Sequence, residues 1–170
     1  MSTFYQSNYV NTNDNLDLSE NLKVNDFLCP HCNRIKLSTD LIKRLTKLKN
    51  EYKYPFYVVY GYQCREYFLE KGENPDNSHS KGMAVDIHFG GKADLLDILD
   101  YAVKEFIHVG LVREITGEYY LHLGSASNSL YWLAAKKENA SDTEYIYYSD
   151  YRKMRYFIES RPEFFKNIKI

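Results

Sequence analysis

The sequence predicts an α+β fold: a small, mainly antiparallel sheet with helices packed on one face and a cleft on the other. Three features lead there. Leu41, Ile42, Leu45 and Leu48 recur at helical spacing, and so do Leu95, Leu96, Ile98, Leu99, Ala102, Val103 and Phe106. Short runs of aromatic and β-branched residues, 56–60 and 84–89, have the length and composition of strands. Val109 to Ile115 and Glu118 to Leu123 flank Thr116-Gly117, which predicts a hairpin and so an antiparallel sense for the sheet.

Composition bounds the rest. A chain of 170 residues is long enough for one domain with a proper core. A net charge of -1 gives no reason to expect a nucleic-acid partner or an anionic membrane. The three cysteines are an odd number, which argues against a disulfide-stapled secreted module. No basic and apolar leader opens the chain and no run is long enough to span a bilayer. Synthesis and folding in a cytoplasm, without membrane insertion, are therefore expected.

Taken in order, residues 1–21 are rich in Asn, Ser, Thr and Asp and predict a mobile arm. Leu22, Val24, Phe27 and Leu28 begin the packed core, expected over 22–124. Cys29-Pro30-His31-Cys32 admits a redox pair, a zinc site completed by Cys64, or a turn whose cysteines pack as small apolar residues. The last is preferred, because no second C-x-x-C knuckle and no thioredoxin-like context accompany it. Ser38 or Thr39 is a natural cap for the helix that follows, which ends near Tyr54-Pro55. Phe56 to Tyr60 predicts a buried strand. It delivers Gly61-Tyr62-Gln63-Cys64-Arg65, then a helix over Glu66 to Lys71 closed by Gly72, then a polar loop, Glu73 to Ser78. Beyond 124, residues 125–170 predict a tyrosine-rich extension packed on the core. Within it, Leu130 to Lys137 suggests a short helix with Trp132 inward, and Asn139-Ala140-Ser141 is a formal glycosylation sequon. The rings of Tyr145, Tyr147, Tyr148, Tyr151, Tyr156 and Phe157 are expected to serve core and lid packing.

The chemistry concentrates in Ser78-His79-Ser80-Lys81-Gly82-Met83-Ala84-Val85-Asp86 and in Tyr120-Leu121-His122. Alternation along residues 84–89 puts Asp86 on the face opposite Val85, Ile87 and Phe89, and Gly82 supplies a tight approach for His79. Taken singly, His79 fits a loop and His122 a strand histidine. Together with Asp86 they form a three-ligand zinc set that leaves a fourth position for water, as hydrolysis requires. His88 shares the Asp86 face and reads as a neighbour of the set rather than a member.

The pattern H-x-x-G-x-A-x-D, followed by a histidine in a later strand, resembles the zinc D-alanyl-D-alanine carboxypeptidases and the related phage L-alanyl-D-glutamate endopeptidases, whose metal core is shared with hedgehog domains. The resemblance runs from about Val24 to Gly124 and takes in Asn25-Asp26-Phe27-Leu28-Cys29-Pro30 and Tyr60-Gly61-Tyr62-Gln63-Cys64. It implies that His79, Asp86 and His122 bind Zn2+ and that the substrate is a peptidoglycan stem peptide containing D-alanine. Without a leader, such an enzyme would reach the wall after lysis or by virion delivery. Three positions depart from the family: Gln63 stands for an arginine, Tyr119 for the acidic residue three before the second histidine, and Gly124 for an aspartate. Glu118 is then the expected base, four residues before His122, provided that a bulge shortens the strand. Gln63 or Arg65 is expected to steady the oxyanion or anchor a carboxylate, and Ser78 and Tyr120 to line the substrate cleft. The rival expectation is a zinc-binding domain that no longer cuts and serves a structural or recognition role in a virion or assembly.

Overall fold

The computed structural model describes residues 10–11, 17–19, 22–52, 55–89, 94–125, 128–136 and 143–165. The chain divides into two compact units, one of residues 1–53 and 58–86, the other of residues 54–57 and 87–170. The fold is α+β with a mostly antiparallel sheet. The sequon and Gly90-Gly91 lie outside the described residues.

In the first unit, β1 (Val10–Asn11) pairs antiparallel with β4 (Arg34–Ile35), and β2 (Asp17–Ser19) with β3 (Leu22–Lys23). The described parts of the expected arm are therefore paired strand. A 3-10 turn over Val24–Phe27 buries Val24 and Phe27 and is closed by the Lys23 N–H, which donates to Asp26 at 3.0 Å. Helix α1 (Thr39–Glu51) starts at Ser38, whose hydroxyl accepts from the Leu41 N–H at 3.1 Å. That bond satisfies one of the donors a helix start leaves open. Leu41, Ile42, Leu45 and Leu48 are buried, while Arg44 pairs with Asp40 at 2.7 Å on the exposed side. The short α2 (Arg65–Glu70) is followed by Gly72 at φ 69°, a left-handed backbone that suits glycine.

Strands β5 (Phe56–Tyr60) and β6 (Ala84–Phe89) run through both units. The sheet has the order β10-β9-β7-β8-β6-β5, where β7 is His108–Arg113, β8 Tyr119–Gly124, β9 Leu130–Ala135 and β10 Glu144–Tyr148. Being the last strand, β5 buries Phe56 but leaves Tyr57 and Val59 exposed, so the buried strand expected here is an edge. β7 pairs antiparallel with β8 in unbroken register, from His108 opposite Gly124 to Arg113 opposite Tyr119. β9 pairs parallel with β7 and antiparallel with β10.

The short helix expected over Leu130 to Lys137 is thus a strand. Two ladders hold it, and pairing on both sides overrides the local alanines. Trp132 is buried, as expected. Because β9 lies between β7 and β10, the sheet continues past residue 124. The tyrosines of β10 divide: Tyr145 and Tyr147 are exposed and stack on one another at 5.9 Å, while Tyr148 is half-buried with its ring 5.9 Å from that of Phe157. Helix α3 (Leu95–Glu105) is capped by Asp94, which accepts from Leu96 and Asp97. α4 (Tyr151–Glu159) buries Met154 and Ile158, and it is tied to α3 through Asp100. That carboxylate accepts the Tyr151 hydroxyl at 2.5 Å and pairs with Arg155. A last turn, α5, spans Pro162–Phe165.

Candidate metal centre

His79 sits in a loop that its own polar residues fold. The Ser80 N–H donates to Asn77 Oδ1 at 3.0 Å, and the Ser80 hydroxyl donates to the Pro75 carbonyl at 2.7 Å. The Gly82 N–H returns to the His79 carbonyl at 3.0 Å, and Met83 N–H to the Ser78 carbonyl at 2.9 Å. Gly82 has φ 70°, and a Cβ there would stand 2.3 Å from the Lys36 carbonyl oxygen, so only glycine closes this turn. The loop then enters β6, where Ala84, Val85 and Ile87 are fully buried around Asp86.

The histidine is oriented from both ends of its ring. Nδ1 lies 2.9 Å from the Gly61 carbonyl oxygen. A carbonyl only accepts, so Nδ1 carries the proton. Nε2 then faces Asp86, 3.3 Å from Oδ1. The two side chains are only 10% and 8% exposed. Gly61 is itself pinned: a Cβ there would lie 2.4 Å from Phe27 Cα.

His122 is buried on β8 opposite Gly110. Its ring lies 4.9 Å from that of Trp132. Gly110 makes room for the indole, since a Cβ there would stand 2.2 Å from Trp132 Cε2. His79, Asp86 and His122 form a group that could hold a metal ion, with one ligand atom from each within 4.8 Å of the others. A buried set of two imidazoles and a carboxylate suits a borderline divalent ion such as zinc.

The other expected site residues fare unevenly. Gln63 and Tyr120 are buried, and Lys136 Nζ lies 5.1 Å from the Tyr120 ring. Ser78 is half-buried in the ligand turn. Arg65 is exposed at the start of α2, and its guanidinium is engaged by Asp76 of the 73–78 loop. Glu118 is exposed and bonded to Thr116 at 3.5 Å. The unbroken β7–β8 register leaves no bulge to draw it in, so Glu118 stays about 13 Å along the strand from His122. Its expected role as base is not supported by this geometry. Gly124 packs on His108, where a Cβ would lie 2.9 Å from the His108 Cβ. His88 stacks on Tyr57 at 5.0 Å.

A second group lies in the first unit. Cys29, Cys32 and Cys64 also place one sulfur each within 4.8 Å of the others. The apolar packing expected of these cysteines is present, since Cys29 and Cys64 cluster with Tyr62, and Cys32 and Tyr67 lie against them. Sequence reading weighed a zinc site completed by Cys64 and set it behind apolar packing; the fold brings Cys64 to Cys29 across a separation of 35 residues. Burial pushes the Cys64 thiol up to about 12 and raises Cys32 as well. For Cys29 burial also acts upward, but hydrogen bonds from the backbone of Cys64, Cys32 and His31 outweigh it and leave the thiol below its ordinary value.

Comparison of the chain with family models, with curated proteins and with solved structures gave no match.

Proposed function

We propose that this chain is a zinc-dependent peptidase that hydrolyses D-alanine-containing stem peptides of peptidoglycan, reaching the wall after lysis or by virion delivery. The observation that carries the reading is the buried His79–Asp86 pair. With Nδ1 carrying the proton, His79 turns its Nε2 lone pair toward the buried Asp86 carboxylate 3.3 Å away, and a divalent ion held by both would offset the cost of keeping two acceptors together away from water. The Gly61 carbonyl fixes the His79 tautomer, which is the usual outer support of a ligating imidazole. His122 completes the set.

Bound there, zinc would lower the pKa of its water toward about 7 and polarise a scissile carbonyl. The chain's own part is orientation and exclusion of water. His79 and Asp86 are held by the 77–83 turn and β6, and Trp132 walls the His122 ring. Gln63 and Tyr120, buried and uncharged, are the donors we assign to the developing oxyanion. The substrate class rests on the family resemblance of residues 24–124. The test is to incubate the zinc-loaded protein with purified peptidoglycan and measure new amino groups. Release that disappears in His79→Ala supports the peptidase.

One pair of observations favours a second reading, a metal-binding domain that does not cut: Glu118 stands just before β8, four residues from His122 on an unbroken ladder, and Arg65 is taken up by Asp76. Full zinc occupancy without amino-group release from several wall types would select it.

A further inference from the structure

We infer that Cys29, Cys32, Cys64 and His31 form a second, structural zinc site, independent of the His79, Asp86 and His122 set. The three sulfurs already converge from two separate stretches of chain. The turn that presents the first two is closed by its backbone. Asn33 N–H donates to the Cys29 carbonyl and Cys29 N–H to the Arg34 carbonyl, both at 2.9 Å. Asn33 takes φ 56°, so the chain doubles back and both thiols face the same way. Cys64 comes from the loop after β5, and its N–H donates to Cys29 Sγ at 3.2 Å. Such a bond stabilises the thiolate, which is the form that binds a metal.

His31 supplies the fourth donor. Its Nδ1 lies 3.3 Å from Cys64 Sγ, close to the edge of about 3.6 Å that a nitrogen and a sulfur share in tetrahedral zinc. Its Nε2 lies 3.0 Å from Glu70 Oε1; Nε2–H donating to that carboxylate leaves the Nδ1 lone pair turned toward the sulfur. This is the carboxylate–histidine arrangement that supports ligating imidazoles. His31 stands outside the group that already converges, so closing the set needs its ring to turn toward Cys29 and Cys32. A pocket lined by His31, Cys32, Cys64 and Glu66 gives an ion its entry. Three cysteines and one histidine close a tetrahedron and leave no place for water, so the site is structural. It would staple the 29–34 turn to the 61–64 loop, whose Gly61 carbonyl holds His79.

The test uses the full chain loaded with cobalt(II). The proposal expects an intense near-ultraviolet sulfur-to-cobalt charge-transfer band in the wild type and in His79→Ala, and its loss in Cys29→Ser and Cys64→Ser. It also expects zinc to protect all three thiols of the wild type from alkylation, and His31→Ala to weaken retention at least about tenfold. The band depends on thiolate ligands, so failure of the peptidase reading leaves it untouched. Wild-type protein that shows no such band, or whose thiols alkylate equally fast with and without zinc, would overturn the proposal. So would a disulfide between any two of the three cysteines in protein purified with zinc present. The alkylation and cobalt readouts on the wild type stand even if a cysteine variant fails to fold.

Discussion

His79 carries more of the account than any other residue. Its ring is fixed at Nδ1 by a backbone carbonyl and aimed at a carboxylate with Nε2, in surroundings that nearly exclude water. His79→Ala and His122→Ala should therefore each abolish metal uptake at that set, measured as the loss of one zinc per chain by elemental analysis. Stoichiometry equal to the wild type in both variants would remove the ligand assignment. Glu118 gives the opposite expectation. Far along the strand, Glu118→Gln should change amino-group release by less than about tenfold, well short of the loss expected when a general base is removed. The His79–Asp86 pair was legible in the sequence because seven positions and one glycine bring it together locally. The distance of Glu118 from His122 was not, because it turns on whether a strand bulges, which the sequence left open.

At the scale of elements, glycines mark where the site is held. Gly82→Ala would strain the ligand turn by about 1–3 kcal/mol and drive a methyl into the Lys36 carbonyl. Both a lower unfolding temperature and weaker zinc retention are expected. Gly110→Ala should cost about 1–3 kcal/mol by pushing Trp132 off β7, and near-ultraviolet dichroism of the indole would report the shift. His108, at the start of β7, is held below its ordinary pKa by burial. The unfolded chain then binds the proton more readily. The stabilising contribution is full above the unfolded pKa and is lost as the pH falls through it. Denaturant titrations between about pH 7.5 and 5.5 should show a smaller loss of stability in His108→Gln than in the wild type. Helices α1 and α3 were legible because a 3.6-residue period and a capping side chain are local signals. β9 was not, since its short run of Leu, Tyr, Trp and Ala fits a helix turn as well, and its parallel partner β7 lies in a distant stretch. The exposed face of β5 was hidden for a similar reason: place in a sheet is not written in a strand's own residues.

For the whole molecule, the α+β class and the mostly antiparallel sheet followed from periodicity and one glycine turn. The strand order did not, because it depends on how the chain beyond Gly124 rejoins the sheet. Three cysteines for which the sequence favoured apolar packing converge once the chain folds across the 35-residue separation of Cys29 and Cys64. Zinc bound by the folded chain alone should raise its stability, by about 2.7 kcal/mol at a hundredfold excess over the dissociation constant. Thermal melts with zinc and with a chelator would show it. The central claim is that His79, Asp86 and His122 hold one ion and leave it a free position. Anomalous diffraction at the zinc edge from zinc-grown crystals tests this directly. The account predicts a peak about 2.0–2.2 Å from one atom of each of the three residues, with a non-protein fourth ligand. No peak there, or a fourth protein ligand closing the site, would contradict it.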